Sequence, residues 1–121
     1  MKKLLIIFLV MNLFVFNVAA ADFIDGFEDI PLIEGFRQLD NQGFSFGNEE
    51  SGYTEVILET KKNKTFGDVI RFYTEILPKL GWNLKSQGKT NLIFIRDNNT
   101  LEISRQKIKP LKISISLKSE N

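Results

Sequence analysis

Apolar residues recur along this chain with two periods, and each period marks a different kind of element. From 66 to 80 they fall at Phe66, Val69, Ile70, Tyr73, Ile76, Leu77 and Leu80, the three-and-four spacing of a helix with one buried stripe. Thr65 followed by Asp68 predicts the helix start, because hydroxyl and carboxylate together satisfy N–H groups that the first turn leaves open. Pro78 lacks an N–H and crowds the preceding turn, so the regular helix should end near Leu77. Gly81 then supplies a left-handed stop before Trp82.

Elsewhere the period is two. Over 53–60, Thr54, Val56 and Leu58 face one side, and Tyr53, Glu55, Ile57 and Glu59 the other. Over 112–118, Ile113, Ile115 and Leu117 oppose Lys112, Ser114, Ser116 and Lys118 in the cleanest alternation of the chain. Segments 82–86, 92–96 and 100–105 read as further strands, separated by Gln87-Gly88-Lys89, by Asp97-Asn98-Asn99 and by a bend at Pro110. Strands this closely spaced make an antiparallel meander. One helix covering it gives an α+β sandwich of two layers, with about four to five strands ordered β-α-β-β-β-β. The closing strand is expected at a sheet edge, where its lysines either accept another strand or block one.

The stretch before this body, 22–52, is turn-rich, with Gly26, Pro31, Gly35, Gly43, Gly47 and Gly52 set among isolated aromatics. Phe23-Ile24-Asp25-Gly26-Phe27 is echoed nine residues later by Leu32-Ile33-Glu34-Gly35-Phe36. Each copy reads as an apolar pair, a Gly turn and an aromatic plug, so the stretch is expected to lay anchors across the body as an arm. Gly43-Phe44-Ser45-Phe46-Gly47 alternates like a short strand. Phe23, Phe27, Phe36, Phe44 and Phe46 are the candidate contact residues, docking on the body, on a second copy or in a partner's groove.

Composition narrows the class. With 43% hydrophobic and 26% charged residues in 121, the chain is ordinary globular protein. It has no cysteine and no histidine, which removes disulfides, thiol chemistry, nearly all zinc sites and every His-based catalytic device. Residues 1–21 read as a secretory leader: Lys2 and Lys3, an apolar run from 4 to 16 broken by Asn12, then Val18-Ala19-Ala20-Ala21 for the peptidase. The other reading of that segment is an uncleaved anchor, for which 18 residues is the lower limit. The expected organisation is therefore signal peptide 1–21, acidic arm 22–52 and α+β domain 53–121.

Charge is split along the mature chain. Residues 22–60 carry a net −9 and residues 61–121 a net +8. Either arm and body cancel each other's fields, or the basic body faces an anionic envelope component. Nucleic acid is not expected, because an exported domain has no usual access to it and the whole is not basic.

The run Val69-Ile70-Arg71-Phe72-Tyr73-Thr74-Glu75-Ile76-Leu77-Pro78-Lys79-Leu80-Gly81-Trp82 resembles a V-x-x-F-Y-x-x-x-L-P-x-L-G-W helix-to-strand signature of small exported proteobacterial proteins. Pro31-Leu32 with Gly35 and Phe36 loosely matches a segment upstream in the same group. The resemblance implies an envelope location and an α+β fold, and it carries no activity, ligand or catalytic residue. Phe72, Tyr73, Pro78, Gly81 and Trp82 are accordingly expected to be structural.

Catalytic patterns do not emerge. Gly-x-Ser-x-Gly occurs at Gly43 to Gly47, and Ser-x-x-Lys at Ser86 to Lys89 and at Ser104 to Lys107, but all three fall in strand or turn segments, the chain has no histidine to act as base, and there is no phosphate-binding Gly loop. Glu55 and Glu59 share a strand face but stand about 13 Å apart by strand rise, outside hydrolytic spacing. Asp22 to Asp29 does not fit a calcium loop, and a site built with Asp40 or Glu49 is the weaker reading. The expectation is a secreted or periplasmic binding domain without catalysis, cofactor or metal, contacting an envelope protein or an anionic envelope component. A small-ligand or lipid carrier, with its pocket between helix and sheet, is the alternative.

Overall fold

The computed structural model describes residues 22–27, 29–40, 42–48 and 51–120. The expected leader at 1–21 and Glu49 lie outside them. The helix begins where its cap predicts. Thr65 is extended, its hydroxyl accepts from the Asp68 N–H, and the Asp68 carboxylate accepts from the Thr65 N–H at 2.8 Å. That backbone donor, with Arg71 paired to the same carboxylate, holds the Asp68 carboxyl below its ordinary range. Its contribution to stability is present above the unfolded carboxyl's pKa and is lost as pH falls through the lowered value. Helix α1 runs Phe66–Ile76, then tightens into a 3₁₀ turn, Leu77–Leu80, closed by Gly81 at φ 92°.

The strands are β1 (Arg37–Gln38), β2 (Phe44–Gly47), β3 (Ser51–Thr60), β4 (Asn83–Gln87), β5 (Asn91–Arg96), β6 (Asn99–Lys107) and β7 (Leu111–Glu120). All pair antiparallel, in the order β1-β3-β7-β6-β5-β4, with β2 also on β3. Among the described residues the sheet thus has seven strands rather than four to five. Both additional strands come from the arm: β1 pairs at Leu58 and Glu59, and β2 at Gly52 to Glu55, so they lie end to end along β3. β2 is the short alternating segment expected at Gly43 to Gly47, whereas β1, at two residues, is too short for a period of two to stand out.

A second correction concerns β7. It is an interior strand, paired to β3 over ten residues and to β6 on its other side. The helical crossover after β3 leaves that strand's flank open, and the last strand fills it. The lysines therefore guard no edge; Lys112 lies 3.9 Å from the buried Glu59, which Arg37 also approaches.

One face of this sheet needs more cover than α1 provides. Six strands span about 25 Å, whereas an 11-residue helix is about 16 Å long and 10 Å thick. The arm supplies the rest. Its two Gly turns form as the nine-residue echo suggests: the Phe27 N–H donates to Ile24 O with Gly26 at φ 95°, and the Phe36 N–H to Ile33 O with Gly35 at φ 88°. Ile24, Phe27, Ile30, Ile33 and Phe36 join Leu58, Val69, Tyr73, Leu77, Phe94, Leu101 and Ile115 in one core.

Beyond the pairing of β1 and β2, two polar contacts fasten the first part of the arm over the core. The buried Tyr73 hydroxyl donates to Pro31 O at 2.8 Å, and burial raises its pKa far above the phenol range. Arg96 on β5 forks onto Asp29 at 2.6 and 3.2 Å, donates to Leu80 O at the helix end, and lies 4.2 Å from the centroid of the Trp82 ring. The Trp82 ring is buried as expected, but its indole N–H has no hydrogen-bond partner among the described residues; the ring's polar neighbour is the Arg96 guanidinium over its face. Arg96→Lys keeps the charge and loses the planar fork. It should lower stability by about 1–2 kcal/mol, the fork being partly exposed; urea unfolding with an unchanged midpoint would contradict this role.

Candidate functional site

Among the described residues the sheet's other face carries no helix. Because β2 and β3 pair Phe44 with Glu55 and Phe46 with Tyr53, and directly opposite residues share a face, these three rings emerge together there. They stack: Phe44 to Phe46 at 6.0 Å between centroids, Phe44 to Tyr53 at 5.4 Å and Phe46 to Tyr53 at 5.5 Å. Phe44 is 52% exposed and Phe46 64%, so the stack is an apolar surface and not a core. The Tyr53 hydroxyl donates to Glu55 Oε2 at 3.1 Å. Partial burial, and next the carboxylate beside it, raise the Tyr53 pKa above the usual phenol value, although a hydrogen bond with Ser116 opposes them.

Two glycines hold this margin close. A Cβ at Gly43 would sit 2.6 Å from Glu55 O, and one at Gly47 2.5 Å from Ser51 O. On the opposite face Ser45 and Thr54 share a hydroxyl hydrogen bond of 3.0 Å. Among the described residues β2 pairs with β3 alone, so its outer edge has no strand against it.

The five candidate phenylalanines thus divide. Phe27 and Phe36, at 5% and 6% exposure, are core residues and offer no contact; each follows a Gly turn that aims it inward. Phe44 and Phe46 form the exposed stack, and Phe23, 50% exposed, lies apart from it at the bridge to Pro31. Tyr53 completes the stack and was not among the candidates. The parity of Phe44, Phe46 and Tyr53 around a turn between Gly47 and Gly52 is the signal that identifies it. Phe72, Tyr73, Pro78, Gly81 and Trp82 build the helix and its end, with the rings of Phe72 and Tyr73 edge-on at 4.8 Å.

Other chemistry has less to work with. Glu55 is engaged by Tyr53 and Glu59 by Arg37, so the two carboxylates serve separate contacts. No group of three or more His, Cys, Asp or Glu is placed to hold a metal ion among the described residues. The space between α1 and the sheet is filled by Val69, Tyr73, Leu77, Leu92, Phe94, Leu101 and Ile113, all fully buried. No helix of the described residues is long and apolar enough to cross a membrane. No protein-family model matches the chain, and neither a curated protein nor a solved structure is significantly similar to it.

Gly43→Ala should lift β2 from β3, since the new methyl meets backbone and not a movable side chain. The expected result is loss of the Phe44–Tyr53 and Phe46–Tyr53 ring contacts in nuclear Overhauser spectra, with the β3–β7 contacts retained. Unchanged ring contacts would mean that β2 is not held by this close approach.

Proposed function

We propose that the protein is a non-catalytic, exported binding module of the bacterial envelope, and that it grips a partner protein at the aromatic margin of its sheet. The observation that carries this reading is the stack of Phe44, Phe46 and Tyr53, exposed beside the uncovered edge of β2. Rigid aromatic rings are the side chains that most often dominate binding energy, and they lose little conformational entropy. A free strand edge adds backbone N–H and C=O groups that an extended segment can pair with. Together they offer apolar anchors and a register. Export is supported by the charge, apolar run and small residues of the leader. The carrier alternative needs room between helix and sheet, where the protein's own side chains lie.

The test is affinity capture from envelope extract with the chain from Asp22 onward, at low and high salt, followed by titration of the captured protein against wild type and a Phe44→Ser/Phe46→Ser variant. A saturable partner that survives high salt and binds the variant at least tenfold more weakly is expected. Equal binding by the variant, or no saturable partner, would overturn the proposal.

A further inference from the structure

The opposite end of the long strands gathers a different chemistry. Three loops meet there. The register Thr60↔Leu111 sets the β3–α1 loop beside the β6–β7 loop, and the Arg105 N–H bonded to Thr90 O at 2.9 Å sets the β4–β5 turn beside β6. The first loop carries Lys61, Lys62 and Lys64, the turn carries Lys89, and the β6–β7 passage carries Arg105, Lys107 and Lys109; across 61–65, 88–90 and 105–110 there is no acidic residue. None of these seven cations makes an ion pair among the described residues. The nearby acids are engaged elsewhere, Glu59 with Arg37 and Lys112, and Asp68 with Arg71 and the helix cap. The basic character of the body is thus concentrated at one end, which the arm meets at Lys62, whose side chain lies against Gly35 next to Glu34.

Between two of the loops lies a cleft of about 650 Å³, lined by Lys61, Lys62, Lys64, Lys109 and Pro110 among others. At its rim Ile108, between Lys107 and Lys109, is 68% exposed, more than any other large apolar side chain of the described residues.

We propose that this end docks on the surface of an anionic phospholipid bilayer, with the lysines around the lipid phosphates and Ile108 inserted between headgroups. A ring of lysines alone would serve any polyanion. Ile108 decides the choice, because a hydrated polymer offers nothing apolar to receive it, whereas the headgroup boundary does. The three loops contain no aromatic ring to stack on a sugar or a base. At the start of α1 the Asp68 N–H donates to the Thr65 hydroxyl and the Asp68 carboxylate accepts from the Thr65 N–H; that carboxylate's charge disfavours an anion there, so the side-chain cations carry the contact. This surface lies at the other end of the sheet from the aromatic margin and stands independently of it.

The test is co-sedimentation of the chain from Asp22 onward, which contains every residue of the core, with vesicles of phosphatidylglycerol and phosphatidylcholine, with pure phosphatidylcholine, and with soluble polyphosphate as competitor. Binding to anionic vesicles alone, weakened by salt, is expected. Lys61→Glu/Lys109→Glu should weaken it several hundredfold, since each cation at such a surface is worth about fivefold and each reversal counts twice. Ile108→Ser should weaken vesicle binding about tenfold and leave polyphosphate binding unchanged. All three side chains are exposed, and unchanged melting temperatures would show that the fold is intact. Absence of binding to anionic vesicles, or equal binding by either variant, overturns the proposal. Polyphosphate binding that exceeds vesicle binding, with Ile108→Ser without effect, overturns it in favour of a polymer.

Discussion

One sheet face, six strands wide and apolar from Val56 across to Phe94, has to be kept from water by whatever the rest of the chain can provide. A single helix of 11 residues covers part of that area. The remainder falls to the arm, whose five buried side chains, at roughly 1.5–3 kcal/mol each, amount to on the order of 10 kcal/mol before ordering entropy. That is comparable to the whole net stability of a small domain. With no cysteine to cross-link it, the fold depends on the arm staying down. Arg96 shows how tightly this is coordinated, since one guanidinium joins the arm through Asp29, the helix end through Leu80, and the Trp82 ring.

The same arm leads from core to surface. After Phe36 it lays β1 against β3, and by Gly43 it passes close enough to Glu55 O to exclude a side chain. It returns as β2, so that alternation now sends Phe44 and Phe46 to the uncovered face. Covering the core and presenting the aromatic stack are consecutive acts of one segment. An exposed stack on a margin fixed by backbone pairing is preorganised, which lowers the entropy lost on binding. The lysine-rich end, by contrast, is built from loops, whose charges are set by sequence and whose proximity is set by strand register.

Much of this could be read from the residues. The helix, its Thr65–Asp68 cap and its Gly81 stop are local chemistry and appear as expected. The faces of β3 and β7 follow from alternation, and the Gly-turn echo of the arm from spacing. Strand order was not legible, because nothing local to 112–118 tells an interior strand from an edge; the crossover through α1 decides it. Nor did residue type separate Phe27 and Phe36 from Phe44 and Phe46. The first pair follows left-handed glycines that turn it inward, and the second alternates on a strand whose inward positions are held by serine and glycine. Tyr53 was legible as a strand residue, but its part in the stack needed the β2–β3 register.

The claim that the arm is half of the core's cover is tested most directly by native-state amide hydrogen exchange. The account predicts that the N–H groups of Ile24 and Leu32, bonded to Ile30 O and Asp22 O, exchange with opening free energies close to those of central β3 and β7 amides. Arm amides exchanging at the rate of an unprotected peptide, while β3 and β7 remain protected, would contradict it.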